Sequence, residues 1–359
     1  MLARFLDTTP KRLTAAGIAA LAVVIGIVAA LLASDGADAT APETTTTTTE
    51  APATTEAPTT TLPQVVAPLT GLAGDYEATI GRPALFVKLD NHVQARPHAG
   101  INQADIVFEE QVEGNITRLA AVFHSRQPDA VGPVRSTRTT DIDLAALFGS
   151  PVYASSGGNS HVLGALSRSS VVDVGHNRGG AGFWRERGRP GPHDLFARPA
   201  DLWSRAGDAG SVPAPIFTYR AEGDPLPTGA TPAGGVALRF GGAEISRFTW
   251  DAASGSWHRS HNGAPHVDTD GVQVAPANVV VLEIGYRFSS GATESSPHGV
   301  TTGEGRALVL TAGHVVEGRW VRPGPGDPLQ LLAADGSPIA LTPGQTFVEL
   351  PPAGGATIL

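Results

Sequence analysis

The residues best suited to chemistry lie where apolar runs end, between residues 88 and 138. Each is charged or carries an amide: Lys88, Asp90, Asn91, Arg96, Arg118, Arg135 and Arg138. Polar groups at strand ends, and in the loops that follow strands, commonly form binding sites. Guanidinium groups bind carboxylates and phosphates through paired N–H donors, and free amides at a helix N-terminus attract the same anions. The set therefore predicts a site for an anionic ligand.

The same side chains allow a second interpretation, in which they form ion pairs that hold loops together. Arg96, Arg118 and Arg135 then pair with four carboxylates, those of Asp90, Asp105, Glu109 and Glu110. Such a network would have a structural role. Removing one partner of a buried ion pair leaves the other charge without compensation, which strongly destabilises the fold. The sequence leaves the ligand site and the structural network open as alternatives.

Two adjacent carboxylates suggest a different chemistry. Glu109 and Glu110, together with His193 further along the chain, are candidates for a hydrolase or transferase that acts on cell-wall glycans. Such an enzyme needs two carboxyl groups about 5 to 10 Å apart around the scissile bond. We therefore count these three residues among the candidate ligand-binding residues and keep a glycan hydrolase or transferase as the alternative function.

Several mechanisms are excluded because their residues are missing. The chain has no cysteine, which rules out disulfides, thiolate metal ligands and cysteine nucleophiles. It also lacks Ser-x-x-Lys, Gly-x-Ser-x-Gly, His-Glu-x-x-His and phosphate-loop motifs. The histidines show no metal-ligand spacing on a predicted helix. We therefore assign no catalytic residue, cofactor or metal ion, and a binding module is favoured over an enzyme.

The overall charge argues against nucleic acid as a partner. The 359 residues include 25 Lys and Arg against 34 Asp and Glu, which gives a net charge of −9. Proteins that bind nucleic acid present a basic surface, because they neutralise phosphates. The chain is long enough, and with 41% hydrophobic residues apolar enough, to form one large domain or two smaller ones.

The N-terminal segment predicts attachment to a membrane. Residues 13–34 are uncharged and mostly apolar, and a helix of this length crosses ~30 Å of hydrocarbon. Lys11 and Arg12 precede this run, so residues 1–12 are predicted to be cytoplasmic and the remainder to lie outside. A cleaved signal peptide is the alternative, because Ala37-Asp38-Ala39 fits a small-x-small cleavage site.

A disordered linker is predicted at residues 35–67, between this anchor and the folded part. From Thr40 to Pro63 nearly every residue is Thr, Pro, Ala or Glu, and such a segment has too little apolar mass to offset the entropy of ordering. The folded part then divides into an α/β domain at 68–208, a connecting segment at 209–235 and a β-rich domain at 236–354.

Short strands and helices are expected to position the charged residues. In the first domain, apolar runs predict strands over residues 84–89, 104–112, 116–124, 151–154 and 171–174. Helices are predicted over residues 141–148, capped by Thr139 or Thr140, and over residues 161–166. A two-residue loop at Gly114-Asn115 would make the second and third strands a hairpin in which Gln111 faces Arg118.

These segments resemble the YerB-like family of bacterial extracytoplasmic proteins. The resemblance rests on Lys88-Leu89-Asp90-Asn91-His92, Asn102 to Glu110, Val131 to Ser136, Pro192-His193-Asp194-Leu195 and Asn262 to His266. It covers nearly everything after Pro68 and implies an α/β N-terminal domain followed by a β-rich C-terminal domain, without an established activity. Family members are commonly anchored through a lipidated cysteine, so in this cysteine-free chain the hydrophobic helix would replace the lipid.

Pattern and resemblance together predict an α/β (α+β) fold, a layered β/β/α-type sandwich. We expect a membrane-tethered accessory or binding module of the bacterial cell envelope. Its partners would be the membrane, through the N-terminal helix, and a cell-wall polymer or an envelope protein of wall synthesis.

We predict that residues 13–34 are retained as an anchor. The full-length protein should then fractionate with membranes and resist extraction by high salt, because an apolar helix is held by the hydrophobic effect rather than by charge. The measurement is fractionation with and without salt, followed by N-terminal sequencing. A mature N-terminus at Thr40 would contradict the prediction.

Overall fold

The computed structural model describes residues 65–242, 245–288 and 296–359. The predicted cytoplasmic segment and anchor, and the linker up to residue 64, lie outside these ranges. Within them, no helix is long and apolar enough to span a membrane. Val65–Val66, at the end of the predicted linker, pairs with Ala73–Gly74, and Ala67 is buried. The described fold therefore begins before the predicted domain start at Pro68.

Most of the regular structure in the described residues is β-strand. In chain order the strands are β1 (Val65–Val66), β2 (Ala73–Gly74), β3 (Leu85–Asp90), β4 (Ile106–Gln111), β5 (Thr117–Phe123), β6 (Val152–Ala154), β7 (Val172–Asp173), β8 (Phe183–Arg185), β9 (Leu195–Ala197), β10 (Thr231–Pro232), β11 (Gly235–Arg239), β12 (Ile245–Asp251), β13 (Ser256–His261), β14 (Ala264–Pro265), β15 (Asn278–Leu282), β16 (Gly285–Phe288), β17 (Pro297–Val300), β18 (Gly303–Thr311), β19 (His314–Arg322), β20 (Gln330–Ala333), β21 (Thr346–Glu349) and β22 (Ala356–Ile358).

The helices of the described residues are all short. They are α1 (Glu77–Ile80), α2 (Thr139–Ala145), α3 (Ser160–Leu166) and α4 (Pro199–Ala206). α2 and α3 confirm the two predicted helices, and α2 continues as a 3-10 turn to Phe148. The predicted cap of α2 is wrong, because Thr139 and Thr140 lie inside the helix and Arg138 is the N-cap residue. α1 and α4 have no counterpart among the predicted helices, although Pro199 in the first turn of α4 is a typical start signal.

The largest sheet has 11 strands among the described residues, in the order β10-β19-β18-β15-β21-β4-β5-β3-β6-β7, with β20 also paired to β19. Its central strands β3, β4 and β5 are buried along their whole length. Strands covered on both faces lose the alternation of polar and apolar residues. This explains why the predicted strands of the first domain read as continuous apolar runs that contain a few buried charges.

One strand pairing joins the two halves of the chain. β4, from the first half, runs parallel to β21, from the end of the second, with Glu109 opposite Glu349. β21 is also parallel to β15, so the sheet continues without interruption into the C-terminal half. The α/β half and the β-rich half therefore share one sheet.

β4 and β5 form the predicted hairpin, but the predicted register is wrong by one residue. Glu110, and not Gln111, is opposite Arg118. The turn is longer than two residues, because Gly114 and Asn115 both have left-handed backbone, with φ of 74° and 56°, within a three-residue turn. This shift places Glu110 and Arg118 side by side on one face of the sheet.

A second sheet, in the order β14-β13-β12-β11-β22, supplies one apolar layer. Burial alternates along β13, where Trp257, Arg259 and His261 are the buried residues. The apolar side chains of this sheet and of the large sheet belong to one buried cluster, which includes Val236, Phe248, Trp257, Leu85, Val107, Leu119 and Phe347.

Helices contribute to the other buried cluster. Leu144, Phe148 and Leu166 pack there with side chains from the opposite face of the large sheet, among them Phe86 and Phe108. The structure therefore confirms a mixed α/β, β-rich fold.

Candidate anion-binding site

Asp90, the last residue of β3, lies at the centre of the site and is buried. Its Oδ1 accepts the backbone N–H of His92 at 3.1 Å. Its Oδ2 accepts the Nε of Arg135 at 3.0 Å and the Nδ1 of His193 at 2.7 Å. One carboxylate therefore connects the loop after β3, the segment before α2 and the loop before β9.

The charge of Asp90 determines the tautomer of His193. Burial alone favours the neutral acid, but hydrogen bonds from His92 and His193 and the charge of Arg135 lower the pKa of Asp90. An ionised carboxylate only accepts hydrogen bonds, so the Nδ1 of His193 must carry the proton that it donates. In neutral His193, Nε2 then has a free lone pair.

His92 has the opposite tautomer. Its Nδ1 accepts the backbone N–H of Gln94 at 3.2 Å, so the proton of the neutral ring is on Nε2. The rings of His92 and His193 are stacked, with centroids 4.6 Å apart and planes 12° from parallel. Nε2 of His193 can therefore accept a proton, while Nε2–H of His92 can donate a hydrogen bond.

Three arginines surround this centre. Arg118 on β5 donates Nη1 to the backbone oxygen of Ser136 at 2.9 Å, and Arg138 donates to the same oxygen at 3.5 Å. Arg138 also forms an ion pair with Glu113 at 2.6 Å. We name the following set the arginine site: Asp90, His92, Arg118, Arg135, Arg138 and His193.

Positive charge is in excess at the arginine site. Arg118 is only 6% exposed, and the ion pairs of the described residues give it no carboxylate partner. Its Nε has no hydrogen-bond partner in the described chain either. Burial, followed by the nearby charges of Arg138 and Arg135, lowers the pKa of Arg118 to about 10. The side chain of Arg135 is 25% exposed, so the site is open to solvent.

An acidic side chain lies at the helix N-terminus beside this site. α2 begins at Thr139, with Arg138 as its N-cap residue. The backbone N–H of Arg138 donates to the buried carboxylate of Asp141 at 2.7 Å. Asp141 thus occupies the start of the helix, and the neighbouring guanidinium groups carry the positive charge of the site.

Lys88 and Glu110 lie near the arginine site but belong to a separate buried group. Lys88 donates its Nζ to Asp141 at 2.7 Å and to Glu110. All three side chains are at most 1% exposed. The predicted pairing of Glu110 with an arginine is therefore wrong, because lysine supplies the positive charge.

Glu109 points to the opposite face of the sheet from Glu110, as adjacent strand residues must. It forms a buried ion pair with Arg259 at 2.7 Å. Asn91 also donates to it, at 3.0 Å, and Arg96 in turn donates to the carbonyl and side-chain oxygens of Asn91 at 2.9 and 3.0 Å. Asn91 and Arg96 therefore position the loop after β3, and the two glutamates cannot flank a single scissile bond.

A second carboxylate lies beside Glu109, because Glu349 is opposite it in the sheet. Burial and the charge of Glu109 raise the pKa of Glu349 well above its usual value. Burial alone would raise the pKa of Glu109, but the charge of Arg259 lowers it below its usual value. Glu109 therefore ionises more readily than Glu349.

A chain of buried hydrogen bonds connects this pair to Asp90. Arg259 Nη1 contacts His266 Nδ1 at 2.5 Å, and His266 Nε2 contacts His98 Nδ1 at 2.8 Å. His98 Nε2 reaches the backbone oxygen of Asp90 at 2.5 Å. Arg259, His266 and Glu349 come from the second half of the chain, and no local pattern in the sequence predicts that they meet β3 and β4.

These buried histidines predict a loss of stability in acid. Burial lowers the pKa of His98 to about 4, so below pH ~6.5 the unfolded chain binds a proton that the folded protein does not. Between pH 7 and pH 5 this residue should remove about 2 kcal/mol of unfolding free energy. Urea unfolding at both pH values measures the effect.

A His98→Gln variant should lose about 2 kcal/mol less than the wild type over the same interval. Exposed His161 provides the matched control, because His161→Gln keeps the buried histidines. Equal pH dependence in the His98→Gln variant and the wild type would contradict the assignment.

Comparison with known proteins agrees with this architecture. A crystal structure of the YerB protein from Bacillus subtilis superposes with a TM-score of 0.72 and 24% sequence identity, covering 82% of this chain and all of that one. The Bacillus subtilis protein named "Putative lipoprotein YerB" is 29% identical over 307 residues, which are 81% of this chain and 88% of the relative.

Two family models match consecutive parts of the chain. Residues 69–212 match the N-terminal domain of the protein family of unknown function DUF3048, and residues 236–348 match its C-terminal domain. The arginine site lies within the first match, whereas Arg259 and His266 lie within the second. The chain belongs to the YerB-like family of bacterial proteins, whose function is unknown.

Proposed function

We propose that the protein is an accessory module of the bacterial cell envelope that binds an anionic polymer of the cell wall through the arginine site. The observation that carries this proposal is the environment of the Arg118 side chain. Its guanidinium is buried beside two further arginines, without a carboxylate partner among the described residues. Buried charges are normally paired, and a bound anion would supply the missing partner.

The chemistry of the site indicates the class of ligand. Guanidinium groups bind both phosphates and carboxylates in a bidentate manner. Cell-wall polymers carry these groups as phosphodiesters or as the carboxylates of peptide stems. Arg135 and Arg138 already have carboxylate partners, so Arg118 is the group with most to gain from a ligand.

The location in the envelope has independent support. The Bacillus subtilis relative carries the name "Putative lipoprotein YerB", and lipoproteins are held at a membrane by a lipid. The chain has no cysteine for a lipid, and we propose that the helix predicted at residues 13–34 anchors it instead. The linker predicted at residues 35–67 would then separate the binding module from the membrane.

We propose a layered β/β/α sandwich as the scaffold of this module. One buried cluster contains side chains of both sheets, and the other contains side chains of the large sheet and the helices. In this arrangement the arginine site lies at the end of β3 on the helical side, because Asp90 and the opposite Arg118 share the sheet face of Phe86, which packs with the helices.

The paired histidines favour a second candidate function, hydrolysis or group transfer on the bound polymer. Nε2 of His193 is placed to accept a proton, and Nε2–H of the stacked His92 is placed to donate a hydrogen bond to the substrate. The arginines would stabilise negative charge that develops on the substrate. In this version the histidines replace the carboxylates Glu109 and Glu110, which are buried on opposite faces of the sheet.

Arg118 provides the sharpest test, because Arg135 is the partner of Asp90 and its removal would also disturb the loops. Arg118→Gln should weaken binding of a glycerol-phosphate oligomer or of a peptide-stem fragment with free carboxylates at least tenfold. Its unfolding free energy should be unchanged or higher, because the substitution relieves repulsion among three guanidinium groups. Calorimetric titration and urea unfolding of the same samples measure both quantities.

The control variant is Arg306→Gln, which removes a surface arginine that pairs with Glu283 and Glu317 and should leave binding intact. A neutral glucan oligomer should not bind. Release of low-molecular-weight products from the polymer, abolished in His193→Gln, would favour the second candidate function. Absence of binding by the wild type, or equal binding by Arg118→Gln, would contradict the arginine site as a ligand site.

A further inference from the structure

Lys88, Glu110 and Asp141 form a buried group that neither candidate function uses. Lys88 is on β3, Glu110 on β4 and Asp141 in α2. The Nζ of Lys88 lies 2.7 Å from Oδ1 of Asp141 and also contacts Oε1 of Glu110. None of the three side chains is more than 1% exposed.

The sheet register explains how these groups meet. β5 lies between β3 and β4, and Lys88 is opposite Ala120 of β5. The small side chain of Ala120 leaves room for Lys88 to reach across β5 towards Glu110. α2 packs over the same face and brings Asp141 to the amine. The other oxygen of Asp141, Oδ2, accepts the backbone N–H of Arg138 at 2.7 Å.

The surroundings disfavour charge. Phe86, Phe108, Leu144 and Tyr153 belong to the apolar cluster on this face. Two carboxyl groups share one ammonium group, so full ionisation would leave one buried negative charge in excess. Burial, together with the charge of Asp141, raises the pKa of Glu110 to about 7. Such a site favours the neutral acid form of Glu110 over its carboxylate.

We propose that Lys88 and Asp141 condense into an intramolecular isopeptide bond, with Glu110 as the group that transfers the protons. Glu110 accepts a proton from the ammonium group, and the proton passes to the carboxylate of Asp141. The free amine then attacks Cγ of Asp141. The new N–Cγ bond forms while a Cγ–O bond breaks, and the leaving hydroxyl takes the second amine proton to depart as water.

The reaction is balanced without a further reactant. One ammonium and one carboxylate become one secondary amide and one water, and Glu110 returns to its starting state. No electron is transferred. The fold supplies the proximity that makes such a step effectively unimolecular, and exclusion of water from the apolar cluster disfavours the reverse hydrolysis. The product replaces a buried ion pair with a neutral amide.

Such a bond would join the centre of the large sheet to α2. It would close a long loop between residues 88 and 141, which is the constraint that disulfides provide in many extracytoplasmic proteins. This chain has no cysteine to form one. The bond would also fix the helix that follows Arg138, and thereby the arginine site.

Mass spectrometry of the purified, denatured full-length protein tests the proposal. The mass should be about 18 Da, one water, below the value calculated from the sequence of the purified chain, since amine attack on an acid releases water. Tandem spectra of a proteolytic digest should contain a branched peptide that joins Lys88 to Asp141. A folded wild-type protein with the full calculated mass and no branched peptide would overturn the proposal.

A Glu110→Gln variant tests the role of the proton carrier. It should fold but remain without the branched peptide, because glutamine keeps the shape and cannot accept the proton. The control is Glu317→Gln, which alters an exposed glutamate in a surface ion pair and should be cross-linked like the wild type. Cross-linking of Glu110→Gln to the wild-type extent would overturn the assignment of Glu110. If that variant does not fold, the wild-type mass and branched peptide decide the proposal.

Discussion

The rest of the site depends on the ionised carboxylate of Asp90. It is buried at the end of β3, where it accepts hydrogen bonds from the loop after the strand, from Arg135 and from His193. Since these donors come from three separate segments, a single charge determines where the loops lie and which nitrogen of His193 is protonated. Asp90 also has a backbone oxygen that binds His98, which extends the same constraint towards the second half of the chain.

Buried polar groups, together with the apolar core, hold the two halves of the fold together. The parallel pairing of β4 with β21 brings Glu109 beside Glu349, and Arg259 from β13 neutralises the pair. Each ion is expensive to bury, so it requires partners with good geometry. The halves that two family models describe separately therefore depend on each other for charge compensation. Through these contacts, residues of the second half support the arginine site, which lies in the first half.

Local patterns predict the strands β3 to β7 and the helices α2 and α3, because apolar runs and turn residues act over short distances. They predict the hairpin of β4 and β5 but not its register, since the backbone of Gly114 and Asn115 sets the length of the turn. Of the candidate residues, Asp90, Arg118, Arg135, Arg138 and His193 come together as a site. Glu109 does not join them, because adjacent residues of a strand point to opposite faces, and it pairs with Arg259. Lys88 and Glu110 lie on the same face as Asp90 but pair with each other, and Lys88 also pairs with Asp141. Long-range pairing of this kind leaves no periodic signal in a single sequence.

The most direct test of the central role of Asp90 is urea unfolding of an Asp90→Asn variant beside Asp173→Asn. Asparagine keeps the shape of Asp90 and removes its charge, which leaves Arg135 without its ion-pair partner and His193 without a fixed tautomer. We predict a loss of about 3 kcal/mol or more in unfolding free energy, as for other broken buried pairs. Asp173 pairs with the exposed Arg178, and its substitution should cost less than about 1 kcal/mol. Wild-type stability of Asp90→Asn would contradict the account.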